Sequence, residues 1–215
     1  MPLTPIRAIL ARAPVIPVLT ITELASAVPL ARALLAGSLP VLEVTLRSAV
    51  ALDAIRALRA AVPEAIVGAG TVIDAGQLAD ALAAGSQFIV SPGYSPALCA
   101  EARRRGAVVL PGVATASELM AALAAGIDTL KFFPAAQAGG AGMLKALAAP
   151  FPTAQFCPTG GIDVNSAGEY LALPNVLCVG MSSLAPPALV AAGDFAAITA
   201  LARRAALLRP AAPAR

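Results

Sequence analysis

At 215 residues the chain has the length of one ordinary domain and can bury a large core. Its 59% apolar composition and mean hydropathy of +0.82 raise a membrane question, but the longest uncharged stretch, residues 170–193, contains Pro174, Asn175, Pro186 and Pro187 and would make a poor membrane-spanning helix. A net charge of +3 with two tyrosines and no tryptophan argues against a nucleic-acid surface, and the lack of any histidine removes Ser-His-Asp and Cys-His nucleophile systems and most transition-metal sites.

The N-terminal residues 1–14 are expected to form an extra helix, with Pro14 and Pro17 breaking the apolar run that follows and no small-residue cleavage site in view. From there a unit repeats: a short β-branched run, a turn, an alanine-rich helix, a glycine. Strands are expected at 15–20, 41–46, 66–69, 88–90, 108–110, around Lys131, at 154–158 and at 176–180. Helices are expected at 23–36, 49–61, 75–84, 96–105, 116–125, near 143–148, at 165–171 and within 194–208. Starts fall at Thr22, Ser48, Asp74, Ser95 and Thr115, with Ser117 or Asp163 serving similarly; left-handed stops fall at Gly37, Gly85, Gly106 and Gly126. Arg103, Arg104 and Arg105 close a helix, where they complement its dipole. Eight strands in β/α alternation argue for a single-domain α/β fold, a (β/α)₈ TIM barrel over residues 15–208, and a disordered tail at 209–215. The alternative, a doubly wound open sheet, lacks the glycine-rich loop expected after its first strand.

Thirteen of the fifteen basic residues are arginine, yet one of the two lysines, Lys131, lies in the apolar run Thr129-Leu130-Lys131-Phe132-Phe133-Pro134. Strand alternation puts Thr129, Lys131 and Phe133 on one face. Desolvation disfavours an ammonium ion, and a neutral amine attacks carbonyl carbon. A lysine snorkelling from a strand end is the competing reading. On the second strand Glu43, Thr45 and Arg47 share a face, so Glu43 points inward if Leu42 and Val44 face the helices. A structural ion pair with Lys131 and a proton-transfer role then predict the same juxtaposition. Cys99, Cys157 and Cys178 are widely spaced and form no CxxC, so neither a zinc site nor a disulfide framework is expected. Glycines and polar residues otherwise collect after the strands: Gly70-Thr71, Ser91-Pro92-Gly93, Thr159-Gly160-Gly161 and Ser182-Ser183. The last two groups fall where barrels commonly bind phosphate.

These segments carry a family resemblance. Leu42-Glu43-Val44-Thr45-Leu46-Arg47, Val67-Gly68-Ala69-Gly70-Thr71-Val72, Ser91-Pro92-Gly93, Leu130-Lys131-Phe132-Phe133-Pro134-Ala135 and Phe156-Cys157-Pro158-Thr159-Gly160-Gly161-Ile162 resemble the 2-keto-3-deoxy-6-phosphogluconate aldolases, whose activity overlaps with 4-hydroxy-2-oxoglutarate aldolase. The resemblance implies Lys131 as the Schiff-base residue, Glu43 as the proton carrier, and Arg47 and Thr71 as holders of the substrate carboxylate. It places phosphate at Gly160, Gly161 and Ser182, with Pro92, Phe133 and Thr159 also lining the substrate. It further implies a metal-free homotrimer acting on a small keto acid, with no organic cofactor needed; with no signal peptide read, the cytoplasm is the expected location. A sugar-phosphate isomerase or epimerase, or a phosphate-binding barrel without catalysis, is the alternative. One departure stands out: the family commonly reads Gly-Gly-Ser-Trp-Leu after the last strand, where this chain has Gly180-Met181-Ser182-Ser183-Leu184. Met181 is therefore expected to obstruct close approach of the backbone to phosphate.

Overall fold

The computed structural model describes residues 5–208. In chain order the elements are α1 (Pro5–Leu10), β1 (Val15–Leu19), α2 (Leu24–Ala36), β2 (Val41–Thr45), α3 (Ala51–Ala61), β3 (Ile66–Gly70), α4 (Ala75–Ala83), β4 (Phe88–Val90), α5 (Pro96–Arg104), β5 (Val109–Leu110), β6 (Gly112–Val113), α6 (Ala116–Ala124), β7 (Thr129–Phe132), α7 (Gly140–Ala148), β8 (Gln155–Pro158), α8 (Ala167–Leu171), β9 (Val179–Met181), α9 (Pro187–Ala191) and α10 (Phe195–Ala206). They form one α/β unit around a curled, wholly parallel sheet. One ladder runs β5-β4-β3-β2-β1-β9 and a second runs β6-β7-β8, with parallel bridges Phe156–Val176 and Thr159–Gly180 following β7–β8 pairing. No described helix is long and apolar enough to cross a membrane.

Strand alternation sorts the buried residues into two clusters. Leu42, Val44, Val67, Ala69, Ile89, Leu130, Phe132 and Phe156 pack with the helices. Val41, Phe88, Val90, Leu110, Cys157 and Cys178 pack with Ile6 and Leu10 of α1. Phe88 fits because its ring stands where a Cβ on Gly68 would be, 2.5 Å away. Arg7 ties α1 to the sheet: its Nε donates to Thr129 Oγ1 at 2.8 Å and its Nη2 pairs with Asp128 at 2.8 Å.

Several expected boundaries move, each for a local reason. The fifth expected strand is two, because Pro111 lacks the N–H that would continue the ladder; its carbonyl still accepts from Lys131 N at 2.9 Å. The last strand begins at Val179 rather than 176, since Val176 makes only an isolated bridge. Helix α9 falls in a stretch the periodicity left unassigned. Asp74, Ser95 and Thr115 cap their helices as expected, Thr115 through a reciprocal capping box with Glu118. Thr22 and Ser48 do not: Glu23 and Val50 hold the cap positions without side-chain bonds, and Ser48 donates instead to the Ile21 carbonyl. Asp163 accepts from the amides of Asn165 and Ser166 in a turn ahead of α8, which lowers its pKa, and does not cap the helix itself. Gly85, Gly106 and Gly126 are left-handed, but Gly37 has φ −88°; α10 crosses so closely there that a Cβ on Gly37 would collide with Ala202. In the basic cluster, Arg104 and Arg105 both bind Glu101, holding its carboxyl at about 2, while Arg103 donates to the Ala125 carbonyl.

Candidate active site

In a parallel sheet all strand C-termini lie along one edge, and the expected site residues follow them. Arg47 comes two residues after β2, Thr71 directly after β3 and Pro92 two after β4. Phe133, Thr159 and Ser182 directly follow β7, β8 and β9. Glu43 and Lys131 lie within β2 and β7, below that edge.

Lys131 Nζ stands 3.3 Å from Glu43 Oε1, and both residues are buried, 5% and 3% exposed. Burying both charges is costly unless they pair, and here they do. Phe133 covers the amine, its ring centroid 5.1 Å from Nζ. The lysine is thus not a snorkelling strand-end residue. A buried amine with a carboxylate at hydrogen-bonding distance is a nucleophile next to a proton acceptor.

The carboxylate has room because β3 carries glycine opposite it. A Cβ on Gly70 would lie 2.7 Å from Glu43 Cγ and 2.8 Å from Cδ. The sequence pattern put Gly70 just after its strand; glycines at alternate positions of one strand, Gly68 and Gly70, are the available sign of close approach. Gly70→Ala should fold, with overpacking costing about 1–3 kcal/mol. Its kcat should fall at least about tenfold as the carboxylate is displaced from Nζ. A melting curve and steady-state kinetics check this, and native-like kcat in the folded variant would contradict it. The next residue, Thr71, has φ +62°, an unusual conformation for a β-branched side chain and one that costs roughly 1–3 kcal/mol.

The loops after β7 and β8 are bound together. Ala135 N donates to Thr159 O at 2.8 Å and Ala136 N to Gly160 O at 3.0 Å. Gly160 and Gly161 have φ of +103° and +71°, and a Cβ on Gly161 would come within 2.6 Å of Ala136 Cβ. A Cβ on Gly160 would touch the Phe133 ring at 3.3 Å, so this turn abuts the wall of the lysine site. Thr159 is buried, and its side chain occupies the space a Cβ on Gly180 would need. The Pro92 carbonyl sits against Gly112 in the same way. Arg47 is exposed and its Nε donates to Thr45 Oγ1 at 3.1 Å; among the described residues it has no ion pair. Arg47, Thr71, Pro92 and Ser182 make no hydrogen bond to Lys131 or Glu43 among the described residues.

Met181 is where expectation and structure part. Its side chain is fully buried in the cluster between sheet and helices, while Ser182 and Ser183 are exposed. Alternation on β9 turns Gly180 inward and Met181 outward, so the methionine side chain does not stand in the way of a phosphate at Ser182. A cavity of about 680 Å³ lies beside this edge, bordered by Thr20, Glu23, Ser26, Ala185, Val190 and Phe195. No group of three or more potential metal ligands gathers among the described residues.

A family model for KDPG and KHG aldolase matches residues 6–201. This chain belongs to that aldolase family. The KHG/KDPG aldolase of Escherichia coli K12 is 49% identical over 202 residues, covering 94% of this chain and 95% of that one. The 2-keto-3-deoxy-6-phosphogluconate aldolase of Zymomonas mobilis ZM4, solved with 3-phosphoglycerate, is 48% identical; the match covers 98% and 99% of the two chains with a TM-score of 0.92. The KDPG aldolase of Legionella pneumophila, which holds pyruvate as a covalent carbinolamine, is 47% identical, covers 94% and 98%, and also has a TM-score of 0.92. Membership in an aldolase family and a buried amine–carboxylate pair just below the strand ends lead to the same chemistry by separate routes.

Proposed function

We propose that the chain is a class I aldolase that cleaves 2-keto-3-deoxy-6-phosphogluconate to pyruvate and glyceraldehyde 3-phosphate through a Schiff base on Lys131, and that it also cleaves 4-hydroxy-2-oxoglutarate to pyruvate and glyoxylate. The observation that carries this reading is the buried Lys131–Glu43 pair at 3.3 Å in a chain of the KDPG and KHG aldolase family. Lys131 Nζ attacks the C2 carbonyl and forms a carbinolamine. Glu43 relays the protons as that adduct loses water to give a protonated imine. The imine draws the electrons of the C3–C4 bond as the C4 hydroxyl loses its proton, which releases the aldehyde and leaves an enamine. Protonation at C3 and hydrolysis return pyruvate and free lysine. The lysine supplies the electron sink, so no metal or organic cofactor takes part.

Around this pair, Arg47 and Thr71 hold the substrate carboxylate. Gly160, Gly161 and Ser182 receive the phosphate through backbone amides and a hydroxyl. Pro92, Phe133 and Thr159 complete the walls. Two features support closure of the sheet into an eight-stranded barrel: β5 and β6 read as one strand broken at Pro111, and the Thr159–Gly180 bridge links β8 to β9. Residues 15–208 then form the barrel, with α1 as an N-terminal addition packed on its inner cluster. The first four residues of the expected 1–14 helix, and the expected tail at 209–215, lie outside the described residues. A cytoplasmic homotrimer completes the proposal, by kinship.

The test is pyruvate release, coupled to a reporting dehydrogenase, from both 2-keto-4-hydroxy acids before and after dialysis against EDTA. Both acids should be cleaved and EDTA should change neither rate. With Met181 turned away from the edge, the phosphorylated six-carbon acid should give the higher kcat/KM. Failure to release pyruvate from either acid would overturn the assignment, and activity restored only by a divalent metal would move the chain to a different aldolase class.

A further inference from the structure

Thr45 is 1% exposed, lies on β2 two residues from both Glu43 and Arg47, and makes no hydrogen bond to Lys131 or Glu43 among the described residues. Its hydroxyl makes three contacts: the Leu19 carbonyl at 3.0 Å, Thr20 Oγ1 at 3.0 Å and Arg47 Nε at 3.1 Å. A hydroxyl has one proton and two lone pairs. The carbonyl can only accept, so Thr45 donates to Leu19; Thr20 must then donate to Thr45, and Arg47 Nε–H takes the remaining lone pair. Every capacity of Thr45 Oγ1 is used. Arg47 itself has no ion pair among the described residues, so this contact is what orders its guanidinium. With Nε engaged, the side-on fork of Nε and Nη2 is closed, and only the two terminal nitrogens can meet a carboxylate.

We infer that Thr45, locked by Leu19 and Thr20, is a positioning residue that sets Arg47 to bind the keto-acid carboxylate end-on through its two terminal nitrogens. This rests on the assignment of Arg47 to the substrate carboxylate. A preset guanidinium loses less side-chain freedom when substrate arrives, so the effect belongs in binding rather than in the bond-breaking step. Thr45→Val removes the acceptor while keeping the shape. Thr45→Ser keeps the acceptor.

The experiment uses the full chain and 2-keto-3-deoxy-6-phosphogluconate, with melting curves for each variant. Thr45→Val should raise KM about tenfold with kcat within about twofold of native, and Thr45→Ser should restore KM. Arg47→Met should raise KM at least as much, and adding Thr45→Val to it should change KM no further, because the hydroxyl then has no guanidinium to hold. If Thr45→Val does not fold, Thr20→Val carries the test, with KM expected to rise about threefold in the native background and not at all in Arg47→Met. A KM effect that persists undiminished in the Arg47→Met background would overturn the inference, as would native KM in a folded Thr45→Val. Native KM in Arg47→Met would overturn the carboxylate assignment itself. A raised KM in Arg47→Met beside native KM in Thr45→Val would leave that assignment standing and remove only the role of Thr45.

Discussion

Lys131→Arg should lose aldol cleavage by more than ~10⁴-fold, the scale on which removing a covalent nucleophile acts. The guanidinium keeps the positive charge that faces Glu43 and roughly the length of the chain, so fold and ion pair have every reason to persist. What it cannot do is shed its proton and attack carbon, because it stays charged throughout the working pH range. Charge alone therefore separates from nucleophilicity in one substitution. The matching positive result comes from the native protein treated with pyruvate and borohydride, digested and weighed. The reduced adduct should sit on Lys131 and be absent from Lys145, which is exposed in the last turn of α7 and has no apolar strand around it. An adduct on Lys145, or active Lys131→Arg, would remove the Schiff base from the account.

Glu43→Gln should retain the fold and lose turnover by about a hundredfold or more. The amide oxygen can still accept from Lys131, so the buried amine is not left without a partner, whereas truncation to alanine would leave it unpaired and confuse catalysis with folding. A carboxylate serving only to pair the lysine would be replaceable by this amide with little change in kcat. One serving to move protons would not, because the amide neither takes nor returns them. Pyruvate trapping should still occur in Glu43→Gln but more slowly, since carbinolamine dehydration loses its proton relay while Nζ remains. Native kcat in the folded variant would reduce Glu43 to a structural partner. The Gly70→Ala variant is a second approach to the same question, as it leaves the carboxylate intact and moves it.

The alternating strands and alanine-rich helices were legible in the sequence because period and punctuation are local properties. So was the pairing of Lys131 with Glu43: a lone lysine in an apolar strand and a glutamate on an inward face each need a partner, and a curled parallel sheet offers few places to find one. Helix starts at Asp74, Ser95 and Thr115 were legible for the same reason, since a cap bonds within its own turn. Ser48 and Gly37 misled because their side of the chain is decided elsewhere. Ser48 bonds to Ile21, and Gly37 answers to Ala202 on a helix more than a hundred residues away. Met181 misled because β9 runs one residue further than expected, so a side chain expected in the loop lies instead on the strand's outward face. The space for Glu43 at Gly70 and the Thr20–Thr45–Arg47 chain of hydrogen bonds were beyond local reading, since each depends on how neighbouring strands are registered. Type and order of the paired groups were thus determined by the sequence; which atoms come within 3.3 Å, and what holds them there, was decided only when distant strands met.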